Sequence, residues 1–124
     1  MSYDVYFAID TGAGNAAGIG DQNYTSNAGA MWARALKIEG EHPGEIFTQF
    51  DYGLAETIRR HPKATDLGPI VRAAVDRMRT AGHAAYADVE PSNGWGDYEG
   101  ALGYLEWIAD MCEKHPAATV EVSA

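Results

Sequence analysis

The sequence predicts an α+β domain: a small sheet built from N- and C-terminal strands and packed against three to four helices. Two observations carry the prediction. The segments Tyr3 to Ile9 and Thr119 to Ser123, at opposite ends of the chain, alternate apolar and polar residues with period two. Between them, residues 67–80 and 97–114 place apolar side chains at the i, i+3, i+4, i+7 spacing of a helix with one buried face. A length of 124 residues matches one domain, residues 1–124, with a single core.

In the first strand Tyr3, Val5, Phe7 and Ile9 point one way, and Asp4, Tyr6 and Ala8 the other. Residues 10–21 hold four glycines and no periodicity, so they read as a long loop. A helix is predicted over Ala28 to Lys37, capped by Ser26 or Asn27, with Met31, Trp32 and Leu36 on its inner face. Residues 38–53 give no clear element, although Ile46, Phe47 and Phe50 need burial. A short helix over Leu54 to Arg60 is stopped by His61-Pro62.

Leu67 to Thr80 reads as a strong helix with Asp66 as cap, Pro69 in its first turn and Gly82 just beyond its end. The second strong helix, Asp97 to Lys114, has Tyr98, Ala101, Leu102, Leu105, Ile108, Ala109 and Cys112 along one side and stops at His115-Pro116. The stretches 61–65 and 115–119 are alike. Their flanks do not match, so they are two similar helix stops rather than a repeat.

Hydrophobic content of 46% with 22% charged residues is that of a folded domain rather than a disordered chain. A single cysteine, Cys112, excludes an internal disulfide and a cysteine-rich zinc site. Net charge is −9, and the nearest thing to a basic cluster is Arg59, Arg60 and Lys63. Duplex nucleic acid and anionic membranes are therefore disfavoured partners, since both need clustered cations. The N-terminal residues resemble neither a signal peptide nor a membrane span, which makes the cytoplasm the expected location.

Several motifs invite chemistry. Ala8-Ile9-Asp10-Thr11-Gly12-Ala13 resembles the aspartic-protease signature, but that chemistry needs two carboxylates sharing a proton on an all-β framework. The glycines at 12, 14 and 18 follow a strand, yet their spacing is not that of a phosphate-binding loop. The four histidines, His42, His61, His83 and His115, lack metal-ligand spacing, and no serine or cysteine sits in a nucleophile context. No catalytic residue, metal or cofactor is expected. Asp10, Asp21, Asp97 and Glu99 around Mg²⁺ form the least favoured enzymatic alternative.

Two segments stand out. Asn23, Tyr24, Thr25 and Asn27 precede the first helix and its Trp32; Asn93, Trp95, Gly96, Asp97 and Tyr98 open the last helix. A helix N-terminus offers free N–H groups to an anion, and exposed aromatics can stack on a planar base. These residues are the candidate binding site for a small anionic or nucleotide-like ligand. Ordinary helix capping uses the same residue types, and Asp97 and Glu99 can satisfy the helix end by themselves. A protein–protein interaction module, as a homo-oligomer or an inhibitor of a host protein, is the rival expectation; it rests on the acidic surface and spare aromatics.

Three stretches also carry a resemblance: Asn23-Tyr24-Thr25-Ser26-Asn27 with Met31-Trp32, then Pro91-Ser92-Asn93-Gly94-Trp95-Gly96-Asp97-Tyr98-Glu99-Gly100, then 115–123. Together they look like a family of small proteins found in bacteriophages, prophages and actinobacteria, with residues 38–66 fitting least. No activity comes with the resemblance. It implies a phage-type context, where small non-enzymatic proteins act against host defences by blocking a protein or sequestering a nucleotide signal.

Overall fold

The computed structural model describes residues 2–12, 15–36, 53–91 and 96–123. Within them the chain forms a three-stranded antiparallel sheet and four α-helices, an α+β architecture. The strands are β1 (Ser2–Gly12), β2 (Asn15–Thr25) and β3 (Thr119–Ser123), in the order β2-β1-β3. The helices are α1 (Gly29–Ala35), α2 (Leu54–Arg60), α3 (Ala64–Ala81) and α4 (Tyr98–Lys114).

The two terminal strands pair directly, Val5 opposite Val122 and Phe7 opposite Val120. Period-two alternation decides which side chains are buried. Tyr3, Val5 and Phe7 are buried on the helix-covered face, and Tyr6 is exposed on the other.

β2 corrects the expected loop over residues 10–21. Its pairing runs from Thr25 opposite Ser2 to Asn15 opposite Gly12, with irregularities beside Ala8 and Asp10. Of the glycines that suggested a loop, Gly20 serves packing. Gly20 lies opposite Phe7, and a β-carbon on it would come within 2.7 Å of Met111 Cε on α4. The missing side chain lets α4 lie close against the sheet, where Trp107 packs edge-on to Phe7 at 5.5 Å.

Helix starts differ from expectation for a related reason. α3 begins at Ala64, so Asp66 is inside its first turn and is not the cap. The Ala64 amide donates to the Ala118 carbonyl and the Val120 amide to the Pro62 carbonyl, tying the helix start to the edge of β3. One amide that a capping side chain would otherwise satisfy is bonded by the sheet. α1 is preceded by a 3-10 turn, Ser26–Ala28, and its N-cap is Ala28 rather than Ser26 or Asn27.

α1 also ends at Ala35, short of the expected Lys37, while the boundaries of α2 and α4 and the end of α3 follow the sequence closely. α2 has the expected limits, α3 ends at Gly82 with φ +80°, and Asp97 caps α4. His61 and His115 terminate their helices with nearly the same backbone angles, φ −129° with ψ 67° and 66°, as two equivalent stops should. Residues 38–52, including His42, Ile46, Phe47 and Phe50, lie outside the described residues. No described helix is long and apolar enough to cross a membrane.

Candidate functional site

The structure brings parts of the two singled-out segments together where β2 ends against the start of α4. Tyr24, opposite Tyr3 in the sheet, sends its half-buried ring inward. The ring stacks on Tyr104 at 5.7 Å and lies tilted against Trp32 at 5.9 Å. The Asp97 amide donates to the Tyr24 hydroxyl at 3.3 Å. Contact is so close that a β-carbon at Gly100 would sit 1.9 Å from that oxygen, and one at Gly96 would sit 2.7 Å from Thr25 Cγ2. Gly96 also holds φ at +98°, a conformation that favours glycine.

The first amides of α4 are already engaged. The Gly100 amide donates to Asp97 Oδ1 at 2.7 Å, and the Tyr98 amide to Glu90 Oε2 at 2.7 Å. With Asp97 bonded to Tyr24, three donors that a helix end would offer an anion are held by the protein's own oxygens.

Trp32 and Tyr98 occupy the interior. Trp32 is fully buried, donates from Nε1 to the Ala101 carbonyl at 3.1 Å, meets Tyr3 edge-on at 5.2 Å and stacks on Tyr104 at 5.4 Å. Tyr98 is buried with its hydroxyl donating to the Met78 carbonyl, and its ring lies parallel to His83 at 5.0 Å. Burial pushes the Tyr98 phenol up, and that of Tyr104 further still.

The remaining predicted residues divide. Asn23 lies on the opposite face of the sheet from Tyr24, because neighbours in a strand point oppositely, and it donates to Asp4 Oδ1 at 2.8 Å. Thr25 Oγ1 accepts the Asn27 amide at 3.3 Å within the turn that leads into α1. Asn93 and Trp95 lie outside the described residues.

Two features escaped the motif search. Glu90 joins the segment before α4 to the helix start, accepting from Tyr98 and meeting His83 Nε2 at 2.7 Å. The His83 contact, then the Tyr98 amide, hold the Glu90 carboxyl below its ordinary value. No local spacing marks this clasp.

The second feature is the outer face of the sheet. Tyr6 stands opposite Asp21 on one side and Glu121 on the other, with Asp4 two residues along the same strand. The alternation of Asp4, Tyr6 and Ala8 carried that signal. Tyr6 is 42% exposed and is the exposed large apolar side chain among the described residues. Asp21, Asn23, Thr119, Glu121 and Ser123 are exposed around it. The three strands contain four carboxylates, Asp4, Asp10, Asp21 and Glu121, and neither lysine nor arginine.

Several charges of the helical layer are paired. Arg34 pairs with Asp88, Arg60 with Glu56, Arg72 with Asp110 and Glu113, and Arg79 with Glu106. No described residue forms an ion pair with Asp21 or Glu121.

Among the described residues, two clefts lie in the helical layer. One of about 290 Å³ lies among Ala64, Gly68, Pro69, Arg72 and Cys112, and a shallower one of about 450 Å³ lies among Asp76, Arg77, Thr80 and Tyr86. Neither is lined by a predicted site residue. No group of three or more His, Cys, Asp or Glu side chains among the described residues is placed to hold a metal ion. No family model, curated protein or solved structure matches the chain.

Proposed function

We propose that this protein is a non-enzymatic interaction module that presents the outer face of its sheet to a partner protein. The observation that carries the reading is Tyr6, an exposed aromatic on the outer face of the sheet, between two carboxylates that form no ion pair with any described residue. Exposed aromatics at the centre of a polar surface are the usual anchors of protein interfaces. The aromatics first assigned to a ligand favour the same reading, since Trp32 and Tyr98 spend their rings on the core.

A photo-reactive phenylalanine analogue at position 6, compared with one at the exposed position 99, tests the proposal. The expected result is one discrete protein adduct from position 6 only, suppressed by excess unmodified chain but not by a Tyr6→Ala chain. Equal adducts from both positions, or none from position 6, would overturn it.

A second reading keeps a small anionic or nucleotide-like ligand, held without turnover in a phage-type anti-defence role. It is favoured by the convergence of Tyr24 and Thr25 with Gly96 and Asp97 at one junction. Calorimetry with cyclic and ADP-ribose-type nucleotides tests it. Heat of binding that Tyr24→Ala abolishes supports this reading, and no heat at hundreds of micromolar ligand removes it.

A further inference from the structure

We infer that the partner segment seated on the outer sheet face carries arginine. This rests on the interaction-module reading and names the chemistry of that partner. Residues directly opposite in neighbouring strands stand about 5 Å apart at Cβ. The β-carbons of Asp21 and Glu121 therefore stand at about that distance from the Tyr6 β-carbon on either side, with Asp4 further along β1. Among the described residues, the cation bridged to this sheet is Lys63, opposite Thr119 at the edge and two residues from Glu121. The centre of the face thus sets an aromatic residue between two carboxylates that form no ion pair with any described residue.

Charge complementarity selects among occupants. A second copy would set carboxylates against carboxylates in a chain of net charge −9. A phosphate-bearing surface meets the same repulsion. A metal ion needs converging ligands, and here the Tyr6 ring separates the two acids. An arginine fits each part: its planar guanidinium stacks on the ring while its forked N–H donors reach a carboxylate beside it. A lysine ammonium offers the charge without the plane.

The test is an amide-shift NMR titration of the full chain with a short capped peptide alternating threonine and arginine, run beside its lysine and glutamate counterparts. Saturable shifts confined to residues 4–8, 21–23 and 119–123 are expected. The lysine peptide should bind about threefold to fivefold more weakly, and the glutamate peptide should not bind. Asp21→Asn with Glu121→Gln should weaken arginine-peptide binding about tenfold. Asp66→Asn with Asp76→Asn, the same charge change on α3, should alter it by less than about twofold.

Shifts spread over the acidic helix surfaces, or equal losses in the two charge variants, would overturn the inference. An adduct from position 6 that the arginine peptide fails to compete away removes the arginine inference and leaves the interaction module standing. Absence of any adduct removes the module itself.

Discussion

The Tyr24 hydroxyl fills the space where a side chain at Gly100 would begin: a β-carbon there would lie 1.9 Å from the phenolic oxygen and 2.7 Å from Cζ of the ring. Two segments far apart in sequence are fitted together through a missing methyl group. Gly100→Ala gains helix propensity of about 1 kcal/mol but forces the tyrosine out of its seat, an overpacking cost of about 1–3 kcal/mol. The balance expected in urea unfolding is a net destabilisation of up to about 2 kcal/mol. In a Tyr24→Ala background the same substitution should be neutral or stabilising, a coupling that a double-mutant cycle measures.

Trp32 is the largest fully buried side chain among the described residues, and its removal should be costly. Trp32→Ala is expected to lose about 3–5 kcal/mol. Trp32→Phe keeps a ring and gives up the Nε1 bond to Ala101, an effect of about 1 kcal/mol plus repacking. Denaturant midpoints rank the two. Near-UV circular dichroism should report the broken stack of Tyr24, Trp32 and Tyr104.

Cys112 is buried between α3 and α4, and burial pushes its thiol up to about 12. The thiolate, which is the reactive form, is therefore scarce at ordinary pH. A disulfide reagent at pH 8 should leave the native chain unmodified over the time in which it titrates one thiol per chain in urea. Rapid native labelling would contradict the burial.

Acid should loosen the clasp at the start of α4. Hydrogen bonds from His83 and the Tyr98 amide hold the Glu90 carboxyl below its ordinary value, and those from Arg34 do the same for Asp88. A depressed carboxyl pKa contributes stability that is present above the unfolded value, about 4 for both residue types, and is lost as pH falls through the folded value. Melting temperature should therefore fall as pH drops from about 5 towards 3. The fall should be shallower in Glu90→Gln, and equal slopes in the two proteins would show that Glu90 contributes nothing there.

How much of this could be read from the sequence is clearest residue by residue. Tyr3, Val5 and Phe7 against Asp4 and Tyr6, and the apolar face of 98–112, are local periodicities. Such repeats determined β1, β3, α4 and most of α3, because burying one face of a strand or helix forces them, and the His61-Pro62 stop marked the end of α2. Asp97 before an apolar run likewise announced the start of α4.

Only the tertiary structure decided β2, the first turn of α3 and the roles of the predicted site residues. β2 carries small residues such as Gly18 and Gly20 where a strand pattern would show branched ones, since Met111 takes the space above Gly20 and the pairing with β1 supplies its order. α3 starts early because Ala118, just before β3, accepts from its first amide. Tyr24, Trp32, Asp97 and Tyr98 looked alike in sequence as polar and aromatic residues near helix starts. Which of them face water depended on which surface each element turned to its neighbours, and that is fixed by packing across the chain rather than by any local run of residues.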